Sequence, residues 1–193
     1  MTLSQDISNS ASLDPAIVRT CQWIRSFVAE HTICPFVQRE IERDSIRYVT
    51  VDAGGGRPGI ENALIALIEE CRLLDENEKI ETTLLIMTAG LSDFEDYLSA
   101  LDTGERLMSV EDYEGIYQLA SFHPDYCFAD AEPDDPANYT NRSPHPMFHL
   151  LREERLEAVL ERFPHPERIP ERNIAHTRAM GNAQLKTLLA SCG

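Results

Sequence analysis

Apolar positions recur along this chain at two spacings, and the two spacings alternate. A capping residue followed by proline, Asp14-Pro15, opens the first stretch of helical spacing. The strongest strand pattern is the short apolar run 82–87, which is apolar enough to lie inside a sheet. In chain order the predicted elements are a helix from 14 to about 31, a strand at 46–51, a helix at 60–74, a strand at 82–87, a helix at 92–101, a strand at 116–122, and helices at 146–163 and 170–190.

This order of elements predicts an α/β fold. Strands that alternate with helices favour parallel neighbours, so we expect a small, mostly parallel sheet of at least three strands with flanking helices and two C-terminal helices. The polar residues 1–13 are expected to form an N-terminal tail, and residues 14–193 a single α/β domain. Ligands of such sheets sit beyond the carboxyl ends of the strands, where the glycines after 46–51, residues 88–90 and His123 to Asp125 should meet.

Charge and composition narrow the classes of partner. The formal net charge of −16 argues against nucleic acid and anionic membranes, because both bind clustered positive charge. The apolar runs are too short to cross a bilayer, and nothing at the start of the chain is typical of a signal peptide. Five cysteines without a CxxC motif favour a reducing, cytoplasmic setting.

The segment 122–152 holds most of the candidate chemistry. His123 and Asp125 directly follow a predicted strand, and a carboxylate can orient a histidine or share a metal ion with it. On a continuous helix over 146–163, His149, Arg152 and Glu153 would share one inward face, whereas a kink near Arg152–Arg155 would place them in solvent. An ordinary structural role is equally compatible with His123, whose ring could bond a loop carbonyl while Asp125 caps a turn.

Two kinds of catalytic site follow from these residues. His123, Asp125, His149 and Glu153 could hold a divalent metal ion, as in metal-dependent hydrolases or oxygenases. Without a metal, His123 and His149 could act as acid–base groups, with Asp125 orienting the first. The two histidines share no recognised metal-binding spacing, so the sequence favours neither alternative.

A further set of side chains suits the binding of a small anionic substrate. Arginine pairs with carboxylate or phosphate through two parallel hydrogen bonds, so Arg142 and Arg152 could together hold an anionic substrate. Alternatively, Arg142 could form salt bridges within the loop. The candidate substrate-binding residues are Tyr139, Asn141, Arg142 and Arg152. The same rigid loop could instead form an interface for a binding or assembly protein, including a homo-oligomer, or could be purely structural.

Four motifs carry a resemblance to a known family. They are CPF at Cys34–Phe36, FHPDYCF at Phe122–Phe128, DDPANYTNRSPHPMFHLLRE at Asp134–Glu153 and IPERNI at Ile169–Ile174. With these motifs the chain resembles domain-of-unknown-function family 1415 (DUF1415), over roughly residues 16–190. The resemblance implies no reaction. It implies that the matching positions belong to the family's signature: Cys34, His123, Asp125, Tyr126, Asp135, Asn138, Tyr139, Asn141, Arg142, His149 and Arg152.

Overall fold

Four β-strands form one sheet in the order β1–β2–β4–β3. A computed structural model describes residues 14–192, so the predicted tail at 1–13 lies outside the described residues. The strands are β1 (Ile46–Asp52), β2 (Thr82–Ala89), β3 (Tyr117–Phe122) and β4 (Met147–Arg152). The predicted strands at 46–51, 82–87 and 116–122 correspond to β1, β2 and β3, and β4 replaces the beginning of a predicted helix.

The sheet is mixed, and the expectation of a mostly parallel sheet was wrong. Only β1 and β2 pair in parallel, whereas β4 lies antiparallel to both β2 and β3. The first three strands therefore point the same way, and β4 enters between β2 and β3 in the opposite direction. The error arose at Met147–Arg152, because Met147, Phe148 and Leu150 are all fully buried and a continuous apolar run fits a helix or a strand equally well.

Seven α-helices accompany the sheet in the described range. They are α1 (Pro15–Trp23), which continues as a π-helical segment (Ile24–Ala29), α2 (Val37–Glu42), α3 (Arg57–Glu76), α4 (Phe94–Val110), α5 (Glu153–Leu160), α6 (Ile169–Met180) and α7 (Asn182–Ala190). The predicted helix at 170–190 is broken at Gly181, whose φ of 78° lies in the left-handed region. Within residues 14–192, no helix is both long enough and apolar enough to cross a membrane.

Both faces of the sheet are buried. One face packs Leu85, Phe148 and Leu150 into a core with α3 and α4. The other face packs Leu84, Ile86 and Met147 against the first helix and α7. Side chains alternate between the two cores along β4, so no polar face is left to reveal the strand in the sequence.

The ends of the first three strands lie at one edge of the sheet, as the sequence indicates. A Cβ added at Gly90, after β2, would lie 2.1 Å from the carbonyl oxygen of Ala53, after β1. His123, after β3, bonds the carbonyl of Leu91 with an N···O distance of 3.0 Å. This edge is closed by backbone contacts.

Candidate functional site

His123 is fully buried, and both of its ring nitrogens are engaged. The backbone N–H of Asp125 donates to Nδ1 at 3.0 Å, so the proton of the neutral ring is on Nε2, which donates to the Leu91 carbonyl. Burial lowers the pKa of His123. The ring contacts Phe94 and Tyr97 at centroid distances of 5.2 and 5.1 Å. A neutral histidine with both nitrogens bonded to backbone holds the loop in place.

The predicted substrate-binding residues of the loop are bonded to the loop itself. Arg142 donates from Nε to the Tyr126 carbonyl at 3.0 Å and from Nη2 to the Pro133 carbonyl at 2.8 Å. Its guanidinium lies over the ring of Tyr139, 4.8 Å from the centroid, and Tyr139 is buried. Asn141 donates to the Ser121 carbonyl at 3.1 Å. These contacts occupy the Nε–Nη2 edge of the Arg142 guanidinium.

Arg152 hydrogen-bonds to the C-terminal end of α3. Its guanidinium donates to the carbonyls of Leu74, Asn77 and Ile80, around and just beyond the last turn of α3. Carbonyls at the end of a helix and in the turn after it lack a full set of helical partners, and a basic side chain can bond them. The side chain also lies over the ring of Tyr117, 5.7 Å from the centroid. Arg152 is therefore a cap in this structure, and a role in substrate binding stays a prediction.

The four predicted metal ligands are not brought together. His149 belongs to a strand instead of a helix, so the expected inward face of His149, Arg152 and Glu153 does not exist. Glu153 begins α5 and lines a groove beside α4. Asp125 contacts His123 through its backbone N–H, which donates a hydrogen bond to the ring. Across residues 14–192, no group of three or more His, Cys, Asp or Glu side chains is placed to hold a metal ion.

His149 is held in one tautomer by Thr82. The two residues lie on the same face of neighbouring strands, with 2.7 Å between Thr82 Oγ1 and His149 Nε2. The Thr82 hydroxyl donates its single hydrogen to the carbonyl of Leu150. It can therefore only accept from the ring, which places the imidazole proton on Nε2 and a lone pair on Nδ1.

The lone pair on Nδ1 is available to a ligand. Among the described residues Nδ1 has no hydrogen-bonding partner, and unlike the indole nitrogen of Trp23 it is not shut off from water. The ring is surrounded by protein yet partly exposed, since it borders a pocket. Burial lowers the pKa of His149 to about 4. The side chain is neutral at pH 7 and offers one hydrogen-bond acceptor.

His149 lies in the floor of a pocket of about 280 Å³, here named the sheet-face pocket. Strands β1 to β4 form the floor, and the π-helical segment, α2 and α5 form the walls. The lining is mostly apolar and includes Ile24, Val28, Leu84, Phe122, Leu151 and Leu156. Pockets of roughly this size and character bind small molecules in many proteins.

The charged groups at the rim of the sheet-face pocket are already paired. Arg155 donates to the Glu81 carboxylate at 2.8 Å and to the Glu78 carbonyl at 3.0 Å. Glu40 accepts from the Ser45 hydroxyl at 2.6 Å. The rim therefore presents closed ion pairs and hydrogen bonds, and His149 Nδ1 is the acceptor that the floor leaves open.

Cys34 stands between this pocket and a second one. The second pocket, of about 580 Å³, lies beneath α6 and shares Val28, Cys34 and Phe122 with the first. Burial raises the pKa of the Cys34 thiol, although the backbone N–H groups of Phe36 and Val37 bond to the sulfur and oppose this shift. The thiol is thus protonated at neutral pH.

Sequence reasoning identified His149 and missed its setting. Thr82 was included in a predicted strand, but its partnership with the histidine depends on β4 lying beside β2. The run 147–151 is apolar except for His149, and such a run is compatible with a buried strand as well as with a helix. Read as a strand, the run places the histidine on an apolar face beside Leu151.

Comparison with known proteins places the chain in a family and adds no activity. No curated protein and no solved structure matches it. A family model described as "Protein of unknown function (DUF1415)" matches residues 16–187. The match spans most of the 193 residues and confirms the resemblance indicated by the sequence motifs. The chain therefore belongs to the DUF1415 family.

Proposed function

We propose that this protein binds a small molecule in the sheet-face pocket, with His149 as the group that recognises it. The single observation that carries the proposal is the setting of His149: a neutral imidazole whose tautomer is fixed by Thr82, whose Nδ1 has no partner among the described residues, and whose ring lines a mostly apolar pocket. A ring nitrogen that water can reach and that no protein group pairs is free to accept a hydrogen bond from a molecule in the pocket.

In this proposal His149 is the functional histidine, and His123 and Asp125 have a structural role. Both nitrogens of His123 are bonded to backbone, whereas His149 keeps one free. A base works best with a pKa near the operating pH, and burial holds the pKa of His149 at about 4. That value supports hydrogen-bond recognition more than proton abstraction.

The proposal is tested by filling the pocket. Ala120 lies in its floor on β3, and Ala120→Phe would place a ring in the cavity. Ala131→Phe is the matched control, because Ala131 lines the neighbouring pocket beneath α6. A library of small fragments would be screened against all three proteins by ligand-observed NMR.

We expect a set of fragments to bind the unsubstituted protein and Ala131→Phe, and to be lost in Ala120→Phe. Leu156→Phe, in the α5 wall, narrows the same pocket from the other side and covers the case in which Ala120→Phe does not fold. Fragments that bind all variants equally well would show that the pocket is not the binding site.

Chemistry at Cys34 is a second candidate, favoured by one observation. Cys34 and His149 line the same pocket, so a thiol and an imidazole both border a bound molecule there. A thiol-dependent enzyme would lose turnover in Cys34→Ser and keep its binding of fragments. Retention of turnover in that variant would remove this candidate.

A further inference from the structure

The open hydrogen-bonding groups of the sheet-face pocket restrict its ligand. The floor offers an acceptor, His149 Nδ1, and the Thr82 hydroxyl beside it is committed to the Leu150 carbonyl and to His149 Nε2. A ligand that lacks a donor would displace water from Nδ1 and leave it unpaired in an apolar pocket. Sites built around a buried polar group discriminate strongly against analogues that cannot bond it.

The charges around the pocket do not favour an anion. The guanidinium of Arg152 is bonded to three backbone carbonyls, and the charge of Arg155 is paired with Glu81 through Nη1, which also donates to the Glu78 carbonyl. Two carboxylates, Glu40 and Glu81, also line the rim. Moving a charged group into an apolar pocket is costly unless a counter-charge or several donors meet it. The open group on the floor is an acceptor, which repels a carboxylate.

The volume limits the size of the ligand. A pocket of about 280 Å³ lies at the small end of the range found for ligand pockets, which suits a six-membered ring with a short substituent. Apolar side chains such as Ile24, Leu84 and Leu156 would contact such a ring on several sides.

From these three observations we infer that the ligand of the sheet-face pocket is an uncharged molecule with a mainly apolar body and one O–H or N–H group that donates to His149 Nδ1. Phenols and compact alcohols belong to this class. The inference rests on the proposed function and goes beyond it, because it excludes the small anions that the sequence favoured as substrates.

The test compares three probes that share a body and differ in one group. 4-Ethylphenol carries the donor, 4-ethyltoluene replaces it with a methyl group of similar size, and 4-ethylbenzoate carries a negative charge. Dissociation constants would be measured by NMR titration of the full-length protein. We expect 4-ethylphenol to bind roughly ten- to a hundredfold more tightly than 4-ethyltoluene, and 4-ethylbenzoate to bind the most weakly.

The variant His149→Leu separates recognition from simple loss of structure. Leucine suits an apolar pocket, and Thr82 keeps its bond to the Leu150 carbonyl. We expect the preference for 4-ethylphenol to disappear while 4-ethyltoluene binds as tightly as before or more tightly. Binding of 4-ethyltoluene by this variant also shows that the pocket has kept its shape.

Each outcome decides for or against the inference. Equal affinity of the unsubstituted protein for 4-ethylphenol and 4-ethyltoluene, or tightest binding of 4-ethylbenzoate, would overturn it and leave the proposed binding function standing. Failure of all three probes to bind, with fragments still bound in the pocket, would likewise overturn the ligand class alone. If neither probes nor fragments bind, the proposed function itself is wrong.

Discussion

At the scale of single residues, two histidines of the same segment have opposite status because of their partners. His123 gives one nitrogen to the Leu91 carbonyl and receives the Asp125 N–H at the other. His149 gives one nitrogen to Thr82 and keeps the other free beside a pocket. The chemistry that a histidine can perform depends on which ring nitrogen remains open.

Thr82→Val tests how the tautomer of His149 is held. Valine has the shape of threonine and removes both the acceptor for Nε2 and the donor to the Leu150 carbonyl. We expect ¹⁵N NMR to show one tautomer of His149 in the unsubstituted protein and a mixture in the variant. The free energy of unfolding should fall by about 1–3 kcal/mol, the cost of unpaired buried groups.

The control is Thr88→Val, at an exposed threonine of the same strand whose hydroxyl donates to the Val51 carbonyl. Its unfolding free energy should change by less than about 0.5 kcal/mol. An unchanged tautomer of His149 in Thr82→Val would mean that Thr82 does not fix the ring.

At the scale of elements, polar contacts hold α6 against the turn that follows the π-helical segment. Asn173 is buried and donates to the Ile33 carbonyl at 2.7 Å, while Arg172 donates to the Thr32 carbonyl. His176 lies 3.0 Å from His31, measured between Nε2 and Nδ1. Because α6 also lines the pocket beneath it, these contacts keep that pocket covered.

Asn173→Ala should loosen α6 while the sheet stays intact. The change leaves the buried Ile33 carbonyl without its donor, at a cost of about 1–3 kcal/mol. Hydrogen–deuterium exchange should become faster in Ile169–Met180 and stay unchanged in β2 and β4. Lys186→Ala, at an exposed position on α7, is the control. Equal acceleration throughout the sheet would show that α6 does not open as a local unit.

At the scale of the whole molecule, acid should act on the fold through neutral histidines. Burial lowers the pKa of His123, His145, His149 and His176. Each of these groups takes up its proton more readily in the unfolded chain than in the folded one. Acid therefore favours unfolding, which adds to the usual loss of carboxylate interactions at low pH.

For His149 the size and direction of this effect can be predicted. Its pKa is 6.5 in the unfolded reference and about 4 in the fold, so between these values the unfolded chain binds more protons. The stabilisation that the fold gains from a neutral His149 is constant above pH 6.5. It is lost as the pH falls from 6.5 to about 4, and the loss in free energy of unfolding is limited to about 3 kcal/mol.

The measurement is the free energy of unfolding in urea at several pH values, for the unsubstituted protein and His149→Leu. The difference between the two should shift by about 2–3 kcal/mol in favour of the variant between pH 7 and pH 4. Thr88→Val, at an exposed threonine of β2, changes no titratable group and should run parallel to the unsubstituted protein. A parallel curve for His149→Leu would mean that burial does not lower the pKa of His149 in the fold.

The sequence alone determined the features that depend on local pattern. The helix behind Asp14-Pro15, the strands near 46–51, 82–87 and 116–122 and the helices between them all follow from apolar spacing and caps. The motifs were sufficient to identify the family that the model match then confirmed.

Only the tertiary structure decided the identity of β4 and the position of the site. The run 147–152 is buried on both faces, so its spacing is the same for a helix and a strand, and the pairing with β2 and β3 settles it. That pairing places His149 against Thr82, 67 positions away in the chain. The chemistry of the pocket depends on this long-range contact, which no local pattern encodes.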